Sequence, residues 1–316
     1  MSERKTPRLL LLGLIAVAVI GATAFYLSPS ADSKASEALD NAKSAQKLQS
    51  LAELDGKAPA SRKLDVQTWN TAEGAKVLFV EAHELPMFDM RLIFAAGSSQ
   101  DGNAPGLAVL TNAMLNEGVA GKDVGAIAQG FEGLGADFGN GAFKDMALAS
   151  LRSLSAADQR EPALSLFSEV VGKPTFPADS FARIKNQMLA GFEYQKQNPG
   201  KLASLELMKR LYGDHPYAHS SDGNEQSVPK ITLAQLREFH AKAYAAGNVV
   251  IALVGDLSRA DAEAIANQVS AALPKGPAMA KIAQPQEPQA SVGHIEFPSK
   301  QTNLMIAQLG IDRDDP

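Results

Sequence analysis

The sequence predicts an α+β fold, a mostly antiparallel sheet with helices packed on one face, arranged as one full module and the start of a second. Three observations lead there. Strand-like runs cluster between residues 64 and 97, and helical periodicities then follow in blocks. The regular strand, helix, strand beat of a doubly wound parallel sheet is missing. Late in the chain a short apolar run, "NVVIALVGD", sits between two helical patterns, as a buried strand does.

The elements read as follows. Arg4, Lys5 and Arg8 precede an uncharged run from Leu9 to Leu27, long enough to cross a bilayer. Ala22-Thr23-Ala24 is also an A-x-A cleavage pattern. Residues 1–27 are thus a signal peptide or a membrane anchor, and either exports the rest of the chain, with the inner membrane as a partner if the segment stays uncleaved. Residues 28–62, rich in Ala, Ser and Lys, form a spacer with a weak helix. The first module occupies residues 63–273. It opens with two alternating runs around the turn Ala72-Glu73-Gly74, and a third strand follows Pro86.

"GLAVLTNAMLNEG" is the first helix, with Asn103 as its cap, Pro105 in its first turn and Gly118 as its stop. Leu107, Leu110 and Met114 make its core stripe, and Val109, Asn112 and Ala113 a second stripe that is small and uncharged. Val124, Ile127, Phe131 and Leu134 give a second helix, and a strand from Met146 follows a glycine-rich stretch. Helices then carry Leu164, Phe167 and Val171, next Phe181, Ile184, Met188 and Phe192, and next the run from Asn198-Pro199 to Tyr212. A capping box at Thr232–Gln235 opens another, and Ser258 to Leu273 is the last, stopped by Pro274. Residues 274–292, with four prolines, read as a linker, and residues 293–316 as strand-like structure that begins a second module.

Composition narrows the function. With 316 residues and 45% hydrophobic content the chain builds one to two globular units. Its net charge of -5 leaves no electrostatic footprint for nucleic acid. The absence of cysteine removes disulfides, thiolate catalysis and cysteine-based zinc sites.

Among five histidines, His215 and His219 have i, i+4 spacing, but Pro216 and the turn formers around them disfavour the helix that would aim both rings at a metal. His240 reads as a packed or half-exposed helix residue. "GFEGLGADFGNG" lacks a Gly-Lys-Ser/Thr ending and a feeding strand, so its glycines are better explained by tight turns entering a strand than by phosphate binding. No G-x-S-x-G elbow occurs. Composition and spacing alone reveal no catalytic centre.

The order of features from Trp69 onward resembles the insulinase/pitrilysin family of zinc peptidases, the inverted-zincin or M16 type. The resemblance is carried by "NTAEGAKVLFVEAHELPMFDMRLIFAAGSSQDG", "PGLAVLTNAMLNEG", "LYGDHPYAHSSDG", "ITLAQLREFHAKAYAAGNVVIALVGDLS" and "QTNLMIAQLGIDRDDP". In active members the first helix carries His-x-x-Glu-His, two zinc ligands and a general base. On that pattern Val109 and Ala113 stand where the histidines would be, and Asn112 where the glutamate would be. Valine and alanine offer zinc no lone pair, and a neutral amide takes no proton from water. The family's remaining ligand, a glutamate on a later helix, falls near Ala190 and Gly191, with Glu193 the nearest acid and about half a turn out of place.

The resemblance therefore implies a catalytically silent, periplasmic subunit with no metal and no catalytic residue of its own. Zinc is expected only in an active M16 partner bearing His-x-x-Glu-His, the pair together enclosing a peptide substrate. The family binds peptide by strand addition to a sheet edge, which points here to Gly139, Asn140, Gly141, Ala142 and Phe143. Two alternatives stand beside this. One is an active zinc metalloendopeptidase with an irregular site using His215 and His219. The other is a membrane-bound structural or assembly protein of the same fold.

Overall fold

The computed structural model describes residues 64–311. The expected signal peptide or anchor and the spacer lie outside the described residues. The sheet begins with β1 (Gln67–Asn70), β2 (Lys76–Glu81) and β3 (Met87–Phe94). It is completed by β4 (Asp137–Ala142), β5 (Ala147–Leu154) and β6 (Val249–Gly255). The six strands lie in the order β1-β2-β6-β3-β5-β4. Every neighbouring pair is antiparallel except β2 with β6, which is parallel. A two-stranded ribbon, Gly118–Val119 with Lys122–Asp123, stands apart.

Alternation along the strands sets the two faces. β3 buries Phe88, Met90, Leu92 and Phe94, β5 buries Ala147, Ala149 and Leu151, and β6 buries Val249, Ile251 and Leu253, so one face carries the core. The intervening residues face away from the helices, where Arg152 holds Asp89 of the adjacent strand through two bonds of 2.8 and 2.9 Å.

On the buried face lie α1 (Leu107–Ala113), α2 (Val124–Glu132), α3 (Ala157–Gly172) and α7 (Arg259–Ala272). α4 (Ala178–Lys196) and α6 (Leu233–Ala243) pack against α1, and α5 (Pro199–Tyr212) lies against α4. The capping box expected at Thr232/Gln235 forms, a second closes at Ser258/Asp261, and Asn198 accepts from Lys201 N–H with Pro199 in the first turn of α5.

Four details differ from the sequence reading. α1 ends at Ala113, followed by a 3₁₀ turn over Leu115–Glu117, so Gly118 does not stop an α-helix. Its N-cap is Gly106, at φ +99°, and the capping oxygens come from Asp101 instead of Asn103. Val124 opens α2 but is exposed, because the buried stripe starts only at Ile127. Residues 293–311 form no strand: a strand needs a hydrogen-bonded neighbour, and none pairs with them.

The linker is extended and pinned to the module. Pro274 and Gly276 accept N–H bonds from Ala246 (2.9 Å) and Gly247 (3.2 Å), and Met279 N–H donates to Asn248 Oδ1 at 2.9 Å. Among the described residues no helix is long and apolar enough to cross a membrane.

Candidate functional site

α1 is held from both ends and from beneath. At its start both Asp101 oxygens accept backbone N–H groups, Oδ2 from Gly106 and Oδ1 from Ala108, each at 2.7 Å. Asp101 is 4% exposed, and burial pushes its pKa up to about 7 against the pull of these two bonds and of nearby Lys144. The turn that carries it also grips the β4–β5 hairpin tip: Ser98 and Ser99 N–H donate to Phe143 O (2.8 Å) and Lys144 O (2.7 Å). Gly97 permits this approach, since a Cβ there would collide with the Lys144 carbonyl.

The second stripe of α1 faces these strands. Asn112, 3% exposed, donates from Nδ2 to Tyr244 Oη at 3.0 Å and to Leu148 O of β5 at 3.2 Å. Val109 and Ala113 flank it, both half-buried. Tyr244 is fully buried, which holds its hydroxyl protonated well above the usual phenol range. Its ring packs on Phe94, with centroids 4.8 Å apart, and stacks on His240 at 5.1 Å. His240 is buried, so its neutral form is favoured, and its Nε2–H donates to Val171 O at 2.8 Å. The Asn112 amide is therefore a strut in the core, with its side chain committed to fixed partners.

Zinc does not fit these residues. Val109 and Ala113 carry no donor atom, and the Asn112 amide is engaged away from any open position. Glu193 on α4 lies on an exposed face, paired with Lys196 at 2.9 Å. His215 and His219 are not brought together by a helix. A 3₁₀ turn over Pro216–Ala218 separates them, His215 Nε2–H donates to Ala283 O at 2.8 Å, and its Nδ1 accepts from Tyr217 N–H at 3.2 Å. His219 Nδ1 meets Ser220 O at 3.0 Å. Among the described residues no group of three or more His, Asp or Glu side chains is placed to hold a metal ion.

The residues expected to meet peptide fall together. Gly139, Asn140, Gly141 and Ala142 belong to β4, an edge strand paired only with β5 among the described residues, and Phe143 follows at the hairpin tip. Asn140 ties this edge to the motif helix, its Nδ2 donating to Asn112 O at 2.7 Å. Two residues at this junction escaped sequence reasoning. Tyr244 has no local signal in the sequence that points to Asn112, and Asp101 sits in a turn-forming "SSQDG" with nothing to mark its reach forward to residues 106 and 108.

Comparison with known proteins agrees with this geometry. The model of the peptidase M16 inactive domain matches residues 230–316. The non-peptidase homolog YmxG of Helicobacter pylori is 31% identical over 184 residues, 57% of this chain and 42% of that protein. A crystal structure of a peptidase M16 inactive domain from Pseudomonas fluorescens is 87% identical, with a TM-score of 0.79 over 80% of this chain and 61% of that one. The periplasmic protease PqqL of Escherichia coli shares the fold, with a TM-score of 0.63 at 19% identity over 72% of this chain and 26% of that chain. The chain thus spans less than two thirds of the length of each of these relatives. The chain is similar to the inactive domain of M16 peptidases over residues 230–316 and to non-peptidase and peptidase relatives of that type, and its sequence has no His-x-x-Glu-His motif.

Proposed function

We propose that this chain is a catalytically silent subunit of an exported, periplasmic M16-type zinc peptidase, which encloses and positions an extended peptide for an active partner bearing His-x-x-Glu-His. One observation carries the reading. The motif helix keeps a firm attachment beside an open strand edge, while its three chemical positions hold Val109, Asn112 and Ala113 and the amide of Asn112 is spent on Tyr244 and Leu148. Such a surface can pair with peptide backbone but has no group to activate water. The open edge of β4, from Gly139 to Ala142 with Phe143 beside it, is the peptide-binding element in this reading. The uncharged Leu9–Leu27 run behind its basic cluster supports export.

The test is reconstitution. The purified chain alone should contain far less than one zinc per molecule by elemental analysis and leave an unfolded casein substrate uncut. Adding an M16 subunit that carries His-x-x-Glu-His should produce cleavage above that of the partner by itself. Stoichiometric zinc in the isolated chain, with cleavage lost in His215→Ala or His219→Ala, would overturn the proposal.

A further inference from the structure

The register of the edge strand says which peptide it suits. Phe143 N–H donates to Met146 O at 2.8 Å, which makes these two residues a hydrogen-bonded pair at the hairpin tip. Along an antiparallel ladder such pairs alternate, so Gly141 with Leu148 and Gly139 with Ser150 also bond inward. The N–H and C=O groups of Phe138, Asn140 and Ala142 are then the ones turned toward the open side. Their side chains point to the helix layer, where Phe138 stacks on Phe131 with centroids 5.4 Å apart.

On the other face the strand has no side chain of its own at positions 139 and 141, and Ser150 Oγ stands 2.8 Å from where a Gly139 Cβ would be. Gly139 and Gly141 share the side of the sheet away from the helices, and Phe143 lies beside them, 49% exposed, its ring edge 3.5 Å from where a Gly141 Cβ would stand. In an added antiparallel strand, residues opposite Gly139 and Gly141 occupy the non-hydrogen-bonded positions, where facing side chains come closest. An aromatic side chain on a neighbouring strand covers a glycine at such a position, and opposite Gly141 it meets the exposed Phe143 ring that already borders the glycine.

We infer that the β4 edge selects extended peptides with an aromatic residue opposite Gly141, whose ring covers the glycine and packs against Phe143. This inference rests on the strand-addition reading above and adds the substrate class to it.

The test uses the full chain and fluorescein-labelled octapeptides of alternating Thr and Val with one central position set to Phe, Leu or Ser, read by fluorescence anisotropy. The Phe peptide should bind about two- to tenfold tighter than the Ser peptide, the scale of one aromatic pair. Phe143→Ala should bring the Phe peptide to the affinity of the Leu peptide and leave the Ser peptide unchanged, and Phe143→Leu should fall between. Equal affinities for the three peptides, or a uniform loss in Phe143→Ala, would overturn the selectivity while leaving strand addition standing. A Phe peptide N-methylated at alternate residues should not bind. If it binds as tightly as its parent, strand addition itself fails, and the selectivity with it.

Discussion

Replacing Asn112 by alanine tests whether this residue is a structural strut of α1. The amide donates to Tyr244 Oη at 3.0 Å and Leu148 O at 3.2 Å, and its residue is 3% exposed. Each hydrogen bond contributes about 0.5–1.5 kcal/mol net, and a buried group left without its partner costs about 1–3 kcal/mol. Leu148 lies in the β5 ladder, so the orphan is chiefly the Tyr244 hydroxyl, and Asn112→Ala should cost about 2–4 kcal/mol. Tyr244→Phe should cost less, about 1–2 kcal/mol, because the Asn112 amide keeps its bond to Leu148.

The pair should therefore couple. In a double-mutant cycle the combined variant should fall short of the sum of the two by about 1 kcal/mol, since the second change finds the bond already gone. Urea unfolding measures this, followed by far-UV circular dichroism and by the fluorescence of Trp69, the single tryptophan, whose side chain lies against Phe79 and Arg259. A cost under about 0.5 kcal/mol for Asn112→Ala, or strict additivity with Tyr244→Phe, would refute the strut role.

The start of the same helix gives two further expectations. Burial lifts the Asp101 carboxyl from 3.8 to about 7, so the folded state binds its proton more tightly than the unfolded chain does. That acid burdens the fold above its unfolded pKa, and stability should fall from about pH 4 to about pH 7, by up to about 4 kcal/mol if the whole displacement is released. Asp101→Asn loses part of the cap but also the titration, so its urea midpoint should decline less than that of the unaltered chain between pH 5 and pH 8. Parallel profiles would contradict the assignment. Gly106→Ala places a Cβ at φ +99° and 2.8 Å from the Asp222 carbonyl, and should lower stability by about 2–4 kcal/mol in thermal melts, with a change under about 1 kcal/mol counting against the packing of these loops.

Much of the fold was legible because it rests on periodicity and punctuation. The Asn198-Pro199 start, the Thr232 and Ser258 caps and the run from Asn248 to Asp256 are local signals, and each defines an element where the sequence places it. Long-range partners were not legible. Asp101 caps α1 across a loop of turns, so the nearer Asn103 looked like the better candidate. The parallel pairing of β2 with β6 joins residues more than 160 positions apart, and nothing in either strand announces it. At the site, side-chain chemistry showed what Val109, Asn112 and Ala113 are unable to do. What Asn112 does instead depends on Tyr244, which is 132 residues away in sequence.

These attachments explain why the motif helix keeps its place without its chemistry. A structural zinc supplies folding energy, and its ligands cannot be lost without unfolding the site. α1 is held by other means: two backbone N–H bonds to Asp101, the Asn112 contacts to Tyr244 and Leu148, the Asn140 bond to Asn112 O, and the buried side chains of Leu107, Leu110 and Met114. None of these starts from Val109 or Ala113, and two of them start from Asn112, the residue that the M16 resemblance sets at the place of the general base. An uncharged amide at that place satisfies a buried hydroxyl, whereas a carboxylate there would carry an unpaired charge into the core beside Tyr244 and the Leu148 carbonyl. The amide at position 112 and the firm seating of the helix thus go together, and the strand edge that Asn140 binds to that helix is held without any metal ligand at Val109, Asn112 or Ala113.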